Sequence, residues 1–384
     1  MSIRTIDIDP TDPTASTTTL RVVLRVSPGQ HQGPTQGISM PTASDGKVEA
    51  VPPHVRLIEM GTAAWVTMIV HGAARIGLAD HLGSGVAKTA EQLAGPTGTH
   101  APSLHRLMRT LAAFGILTEG PARHFALTPL GEALRKDAPG AARATILTFG
   151  GAHFWRVMSE FPYSLATGRT AHEKTSGMPL FQWLTQHPEE GSLFSEAMVG
   201  FHGGEPPAVA AAYDFSGVGT LVDVGGATGN MLTTILARYP KLRGVLFDLP
   251  HVEVDARHLI ASRGMGDRIS IRTGSFFEHV PEGGDAYLLS HVIHDWNDDQ
   301  CLTILGNCRK VMPREGKLLI IESVLPAGDT MHPGKVLDMM MLLAPGGQER
   351  NEEEYRALLR KADLRLTRVV PTDSAVSVIE AVIA

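Results

Sequence analysis

The stretch Leu289–Asp299, LSHVIHDWNDD, runs from an apolar segment into His294 and Asp295. A histidine at the end of a buried strand is either a packed structural residue or a base held at the mouth of a site. Imidazole has a pKa of about 6.5, so near neutral pH it can take a proton from a phenol or similar hydroxyl. Glu322 ends a later apolar run, KLLIIES. An acid there can fix the imidazole tautomer and balance the imidazolium once formed. Upstream, TLVDVGGATGN holds Asp223, Gly225, Gly226 and Gly229, and glycines let a backbone turn tightly and approach a ligand. The next run, GVLFDLP, ends at Asp248, where a carboxylate can accept both hydroxyls of a ribose. The third, RISIRTGSFF, ends in Ser275 and Phe276, where an aromatic ring can cover an adenine face. Val224 stands two residues before Gly226, so the G-x-G-x-x-G spacing of a dinucleotide site fails. D-x-G-x-x-x-G instead suits a single nucleoside with a short amino-acid tail.

These groups need elements to position them. From about residue 215, short β-rich runs alternate with helical patterns such as Met231–Arg238 and Asp298–Val311. That alternation predicts a parallel sheet with crossover helices, and such sheets bind ligands beyond the carboxyl ends of their strands. RLTRVVPTDSAVSVIEAVIA predicts two final strands joined by a turn, an antiparallel edge. Residues 150–212 read as mostly helical and dense in aromatics and Met, which suits an apolar pocket or ordinary core.

The N-terminal third differs. HVRLIEMGTAAWVTMIVHGAARIGLADHL is helical and apolar around much of its circumference, so it is expected to be buried in its own core or against a partner subunit. Thr89 with Gln92 predicts a capping box. Leu104, Leu107, Met108 and Leu111 share one face of the next helix, and GILTEG with HFALTP predict a hairpin. Helix, turn, helix, hairpin is a winged-helix arrangement. Arg106, Arg109 and His105 offer only a thin basic surface for phosphates, so dimerisation is the expected use and no nucleic-acid partner is expected. The expected fold is α/β: a Rossmann-like, doubly wound, mostly parallel sheet behind a helical winged-helix dimerisation domain. Its expected segments are a flexible, Thr/Pro/Gly-rich extension over 1–50, the dimerisation domain over 51–155 and the catalytic domain over 156–384.

The chain has 384 residues, 43% apolar and 19% charged, with net charge −6, which suits a soluble protein with ample core. Cys301 and Cys308 match no zinc spacing and are too few for a disulfide framework. Reduced thiols in the cytoplasm, and no metal, are expected. No apolar run approaches the roughly 18 residues of a membrane span, and the N-terminus lacks a signal-peptide core, so no membrane is expected.

LVDVGGATGN, FDLPHV, GSFF, HVIHDWNDD, IIESVLP and PGGQERNEEEY, in this order and spacing, resemble the class I S-adenosylmethionine-dependent O-methyltransferases of the plant caffeate and bacterial natural-product type. The resemblance runs from about residue 55 to the C-terminus. It implies a homodimer, S-adenosyl-L-methionine as cofactor and a small aromatic acceptor. It also implies that Asp223, Gly225, Gly226 and Gly229 hold the methionine part, that Asp248 with Leu249 holds the ribose, and that Ser275, Phe276 and Ser290 lie near the adenine. His294 would be the base, flanked by Glu322 and Glu349. Glu349 also suits a helix-entry charge. Trp155, Met198, His291, Asp295 and Met340 would line the acceptor site, although Asp295 with Trp296 equally suits a cap on the turn. The family commonly has Gly at the position of Ala227, an acid at Ser275 and Lys or Arg at Ser290. The two serines remove charges near the cofactor and keep open a relative that has lost methyl transfer. A metabolite-sensing winged-helix regulator is a third reading.

Overall fold

The computed structural model describes residues 51–384, together with the backbone of Ser2–Ile3 and Leu24–Arg25, which pair antiparallel. The rest of the extension expected over 1–50 lies outside the described residues. The described residues form two compact units: those up to 155 with 189–201, and 156–188 with 202–384.

In the first unit, the helices Ala90–Thr97 and Ala101–Ala113 precede a hairpin of Leu117–Glu119 and Phe125–Leu127. The capping box forms: Thr89 N–H donates to Gln92 Oε1 at 2.8 Å, and Gln92 N–H to Thr89 Oγ1 at 3.4 Å. Leu104, Met108 and Leu111 are buried with Leu82, Leu93 and Phe125, which is the apolar face their spacing predicts. The helix Pro188–Phe201 belongs to this unit, not to the segment 156–384 as its place in the chain suggested. Side chains hold it there. Thr145 Oγ1 donates to Ala197 O at 3.1 Å, and Gly200 lies so close to Gly140 that an added Cβ would stand 2.6 Å from its carbonyl oxygen.

The helices Pro53–Thr62 and Ala64–Arg75 bear on two expectations. Together they make 23 residues of mean hydropathy 1.2, long and apolar enough by those measures alone to cross a membrane. Only the end of the second helix enters the unit's core, through Ala73 with Ile69 and Val70, while Leu57 is 69% exposed and Trp65 64%, with Ile58, Met60 and Met68 exposed alongside, which leaves a partner subunit as the expected cover.

In the second unit, the strands are β1 (Thr220–Val224), β2 (Arg243–Asp248), β3 (Ile269–Thr273), β4 (Ala286–Ser290), β5 (Lys317–Glu322), β6 (Leu364–Pro371) and β7 (Ser377–Ile383). They form one sheet in the order β6-β7-β5-β4-β1-β2-β3. β1 to β5 are mutually parallel, and β7 inserts antiparallel between β5 and β6. The apolar runs are continuous because both faces are covered. Val222, Val224, Tyr287, Leu289, Leu318 and Ile320 pack on one face. Leu221, Leu288, Leu319 and Ile321 alternate with them on the other. The strand order reverses between β1 and β4, the crevice where open α/β sheets bind ligands.

Phe247 in β2 is fully buried, edge-on to His279. Phe247→Ala should destabilise the protein by about 3–5 kcal/mol, measured by chemical denaturation.

Candidate active site

Four strand ends and one loop converge on this crevice. β4 leads into a short turn, Ile293–Asp295, which carries His294, 4% exposed. His294 Nδ1 lies 2.7 Å from Glu349 Oε1 and 3.3 Å from Glu322 Oε2. The His294 backbone N–H donates to Glu322 Oε1 at 3.3 Å. Glu322 is the last residue of β5, so the sheet sets its position directly. Glu349 comes from the loop after the helix Pro333–Leu343. Three contacts hold that loop. Its N–H donates to Asp338 Oδ1 at 2.8 Å. Gly347 packs so tightly on the histidine turn that an added Cβ would stand 2.0 Å from His294 O. Arg350, 1% exposed, donates to Ile293 O at 3.3 Å, Gln348 O at 3.2 Å and Asp298 Oδ1 at 2.9 Å. A buried guanidinium thus ties the base's turn to the loop of its acid.

The electrostatics follow from burial. Burial alone pushes the His294 imidazole down, but Glu322, Asp295 and Glu349 together outweigh it and hold the ring above its ordinary value. Burial pushes the Glu322 carboxyl up, and the negative neighbours add to this against the opposing pull of His294. Asp295 Oδ1 lies 3.7 Å from His294 Nε2, and its carboxyl rises to about 6, chiefly through burial. With Nδ1 committed to Glu349, Nε2 is the nitrogen left for a proton arriving from an acceptor.

On the other side of the crevice, Gly225 (φ +74°) and Gly229 (φ +81°) shape the loop after β1. A Cβ on Gly226 would stand 2.4 Å from Leu246 and 2.5 Å from Asp223. Ala227 takes φ +48°, a left-handed conformation costing an L-residue on the order of 1–2 kcal/mol. That is the physical sense of the departure from glycine there. Asp248 is aimed by two backbone donors, Ala227 N–H at 2.8 Å and Leu249 N–H at 2.6 Å. Asp223 is fully buried and neither carboxylate oxygen has a hydrogen-bond partner. Burial and then Asp248 raise it to about 7. An orphaned acid beside a backbone cradle fits a nucleoside bearing a cationic amino-acid tail. Phe276 packs against the Gly225 side of the loop and edge-on to Phe277 and Trp296. Ser275 Oγ accepts from Phe277 N–H at 3.3 Å, and Ser290, half-buried, ends β4 opposite Ile321.

The remaining expected contacts divide. Met340 sits half-buried in a small apolar cluster with Val157, Ala171 and Leu343. His291 points Nε2 at Glu205 Oε2, 2.6 Å away. Trp155, with Nε1 donating to Gly150 O at 2.8 Å, and Met198 both belong to the first unit. Sequence reading missed Arg350, Glu205, His202 and Asn307. Asn307 Nδ2 bridges Phe276 O at 2.9 Å and Phe277 O at 3.0 Å, bracing the aromatic loop from behind. A buried position within the apolar stripe of Asp298–Val311 was the only signal for it.

Comparison with known proteins gives two family matches: an O-methyltransferase domain over residues 159–365 and an O-methyltransferase dimerisation domain over residues 58–137. The chain is 41% identical over 337 residues to a phenazine O-methyltransferase of Lysobacter antibioticus, covering 88% of this chain and 98% of that one. It is 38% identical to a 3-amino-4-hydroxybenzoate 4-O-methyltransferase of Streptomyces cremeus, covering 82% and 86%. An O-methyltransferase from neocarzinostatin biosynthesis, solved with S-adenosylmethionine and 2-hydroxy-5-methyl naphthoic acid, superposes with a TM-score of 0.72 at 32% identity, over 83% of this chain and 96% of that one.

Glu349→Gln keeps the shape and removes the charge at Nδ1. A base at His294 would work as neutral imidazole, and the acids hold the ring above its ordinary value, so the rate would rise with pH through the His294 titration. The substitution should move the acid limb of the kcat profile to lower pH and lower the plateau roughly tenfold or more, read from initial rates across pH.

Proposed function

The chain belongs to the S-adenosylmethionine-dependent O-methyltransferases, and we propose that it methylates a hydroxyl of a small aromatic natural product with His294 as general base. The observation that carries this reading is the 2.7 Å pairing of His294 Nδ1 with Glu349, which leaves Nε2 for the acceptor's proton. When bound, the cofactor supplies an electrophilic sulfonium methyl group. The protein's part is to bind, align and deprotonate. Asp248, with Leu249 behind it, accepts the ribose hydroxyls, and the loop Gly225–Gly229 with Asp223 cradles the amino-acid tail. Phe276 covers the adenine, with Ser275 and Ser290 as neutral partners. Aligning two reactants in one crevice contributes as much as the proton transfer itself. His294 takes the hydroxyl proton at Nε2, Glu349 balances the imidazolium, and Glu322 flanks the ring from the end of β5. Asp295 and Met340 are our candidates for contacts with the acceptor. A relative that has lost methyl transfer is not favoured, because base, acids and cradle are all present together.

The enzyme works as a homodimer in the cytoplasm in this reading. The exposed face of Leu57, Ile58, Met60, Trp65 and Met68 lies within or beside the residues matching a dimerisation domain. A second copy covers that face better than a membrane would, because Arg56, Glu59 and Arg75 interrupt the same helices. Cys301 and Cys308 are buried free thiols.

Incubation with methyl-labelled cofactor and a panel of phenols tests the chemistry. The wild type should label at least one hydroxyl. His294→Ala should lose roughly 10²–10⁴-fold of that rate while still binding cofactor by calorimetry, and full activity in that variant removes His294 from the mechanism. For assembly, the double substitution Trp65→Asp, Met68→Asp should convert a dimer to a monomer by light scattering.

A further inference from the structure

Behind the base lies a second buried acid–imidazole cluster that the reaction above does not use. Glu205 opens the helix Glu205–Ala212 and is 8% exposed. Its Oε2 lies 2.6 Å from His291 Nε2, and its Oε1 lies 3.3 Å from His202 Nδ1. The two imidazoles face each other tilted by 32°, with centroids 3.7 Å apart. That is closer than two rings radiating from a shared ion at metal–nitrogen distances of about 2.0–2.1 Å, so hydrogen bonding rather than metal ligation accounts for the cluster.

His291 reaches this place at a cost. Its φ is +52°, a strained conformation for a residue other than glycine. The strain swings the ring between two acids, Glu205 on one side and Glu322 on the other, with its centroid 5.1 Å from that of His294. Among the described residues its remaining nitrogen, Nδ1, is buried without a hydrogen-bond partner, and Glu322 Oε2, 3.8 Å away, likewise makes no hydrogen bond, its other near contact being His294 Nδ1 at 3.3 Å. Two lone pairs facing each other in a dry site repel, and one proton between them resolves both orphans. We propose that Glu205 is a positioning residue for the base: through His291 it holds Glu322 in the protonated form, so the two acids beside His294 play unequal parts.

In this proposal the contacts run from Glu205 through His291 to Glu322. Glu205 accepts Nε2–H of His291, which leaves the Nδ1 lone pair facing Glu322. Glu322 Oε1 already accepts from the His294 N–H, so it is the carbonyl-like oxygen, and Oε2 carries the proton toward His291. The surroundings of Glu322 agree. Glu349 and Asp295 are negative neighbours, Tyr355 and Cys301 face it from the flanking helices as neutral groups, and only His294 opposes with positive charge. The consequence bears on catalysis. A second full negative charge beside His294 would keep the imidazole protonated and idle at neutral pH. A neutral Glu322 leaves Glu349 as the charged partner.

This proposal rests on His294 being the base, and its test separates the two. The protonated-carboxyl stretch of Glu322 is read by infrared difference spectroscopy on resting enzyme at neutral pH, with Glu322→Gln identifying the band. Glu205→Gln removes the charge and frees the His291 tautomer. The band should vanish, and the acid limb of kcat should move to higher pH, giving about tenfold lower kcat at neutral pH. His291→Asn, a residue that tolerates positive φ, should give the same two changes if Glu205→Gln fails to fold. A wild-type spectrum without a band that Glu322→Gln removes overturns the proposal, as does an unmoved limb in both variants. The band is independent of turnover, so an active His294→Ala enzyme would defeat the base assignment and leave the protonation of Glu322 standing.

Discussion

A buried imidazole between carboxylates is costly unless each polar atom finds a partner, and much of the catalytic unit is arranged around meeting that demand for His294. Its Nδ1 pairs with Glu349 and its backbone N–H with Glu322. The acids are held in turn, Glu322 by the end of a central strand and Glu349 by Arg350, Asp338 and the close approach of Gly347. A charged network of this kind is poor stabilisation. Its effect falls on the tautomer and basicity of one imidazole.

The sheet explains how residues far apart in the chain come to share a crevice. Parallel strands place all their carboxyl ends on one edge, and the reversal of strand order between β1 and β4 opens a gap there. The glycine loop after β1 and the acid after β2 stand on one side of the gap, and the histidine after β4 and the acid after β5 on the other. Cofactor binding and proton transfer are thus supplied by neighbouring strands, and the helices packed on the sheet keep the site dry enough for the charges to matter.

Much of this was legible in the sequence because strands covered on both faces read as apolar runs, and the polar residue ending each run stands out. Asp223, Asp248, His294 and Glu322 were found that way. Glu349 was not: it sits in a loop, and only its motif suggested a role. Glu205 and His202 were invisible, since an acid opening a helix reads as a dipole charge and no spacing links residue 205 to residue 291. Arg350 was missed because arginine is ordinarily exposed. The helix Pro188–Phe201 was assigned by chain order, whereas hydrogen bonds from Thr145 and a glycine contact place it with the first unit. The strain at Ala227 and His291 is a backbone property that residue type alone does not announce.

The central claim is that the acids fix His294 with its proton on Nδ1 and raise its basicity. Nitrogen-15 NMR of His294 in enzyme saturated with S-adenosylhomocysteine measures this directly. The account predicts a neutral form protonated at Nδ1, titrating above the about 6.5 of free imidazole. A neutral form protonated at Nε2, or titration at or below that value, would contradict it.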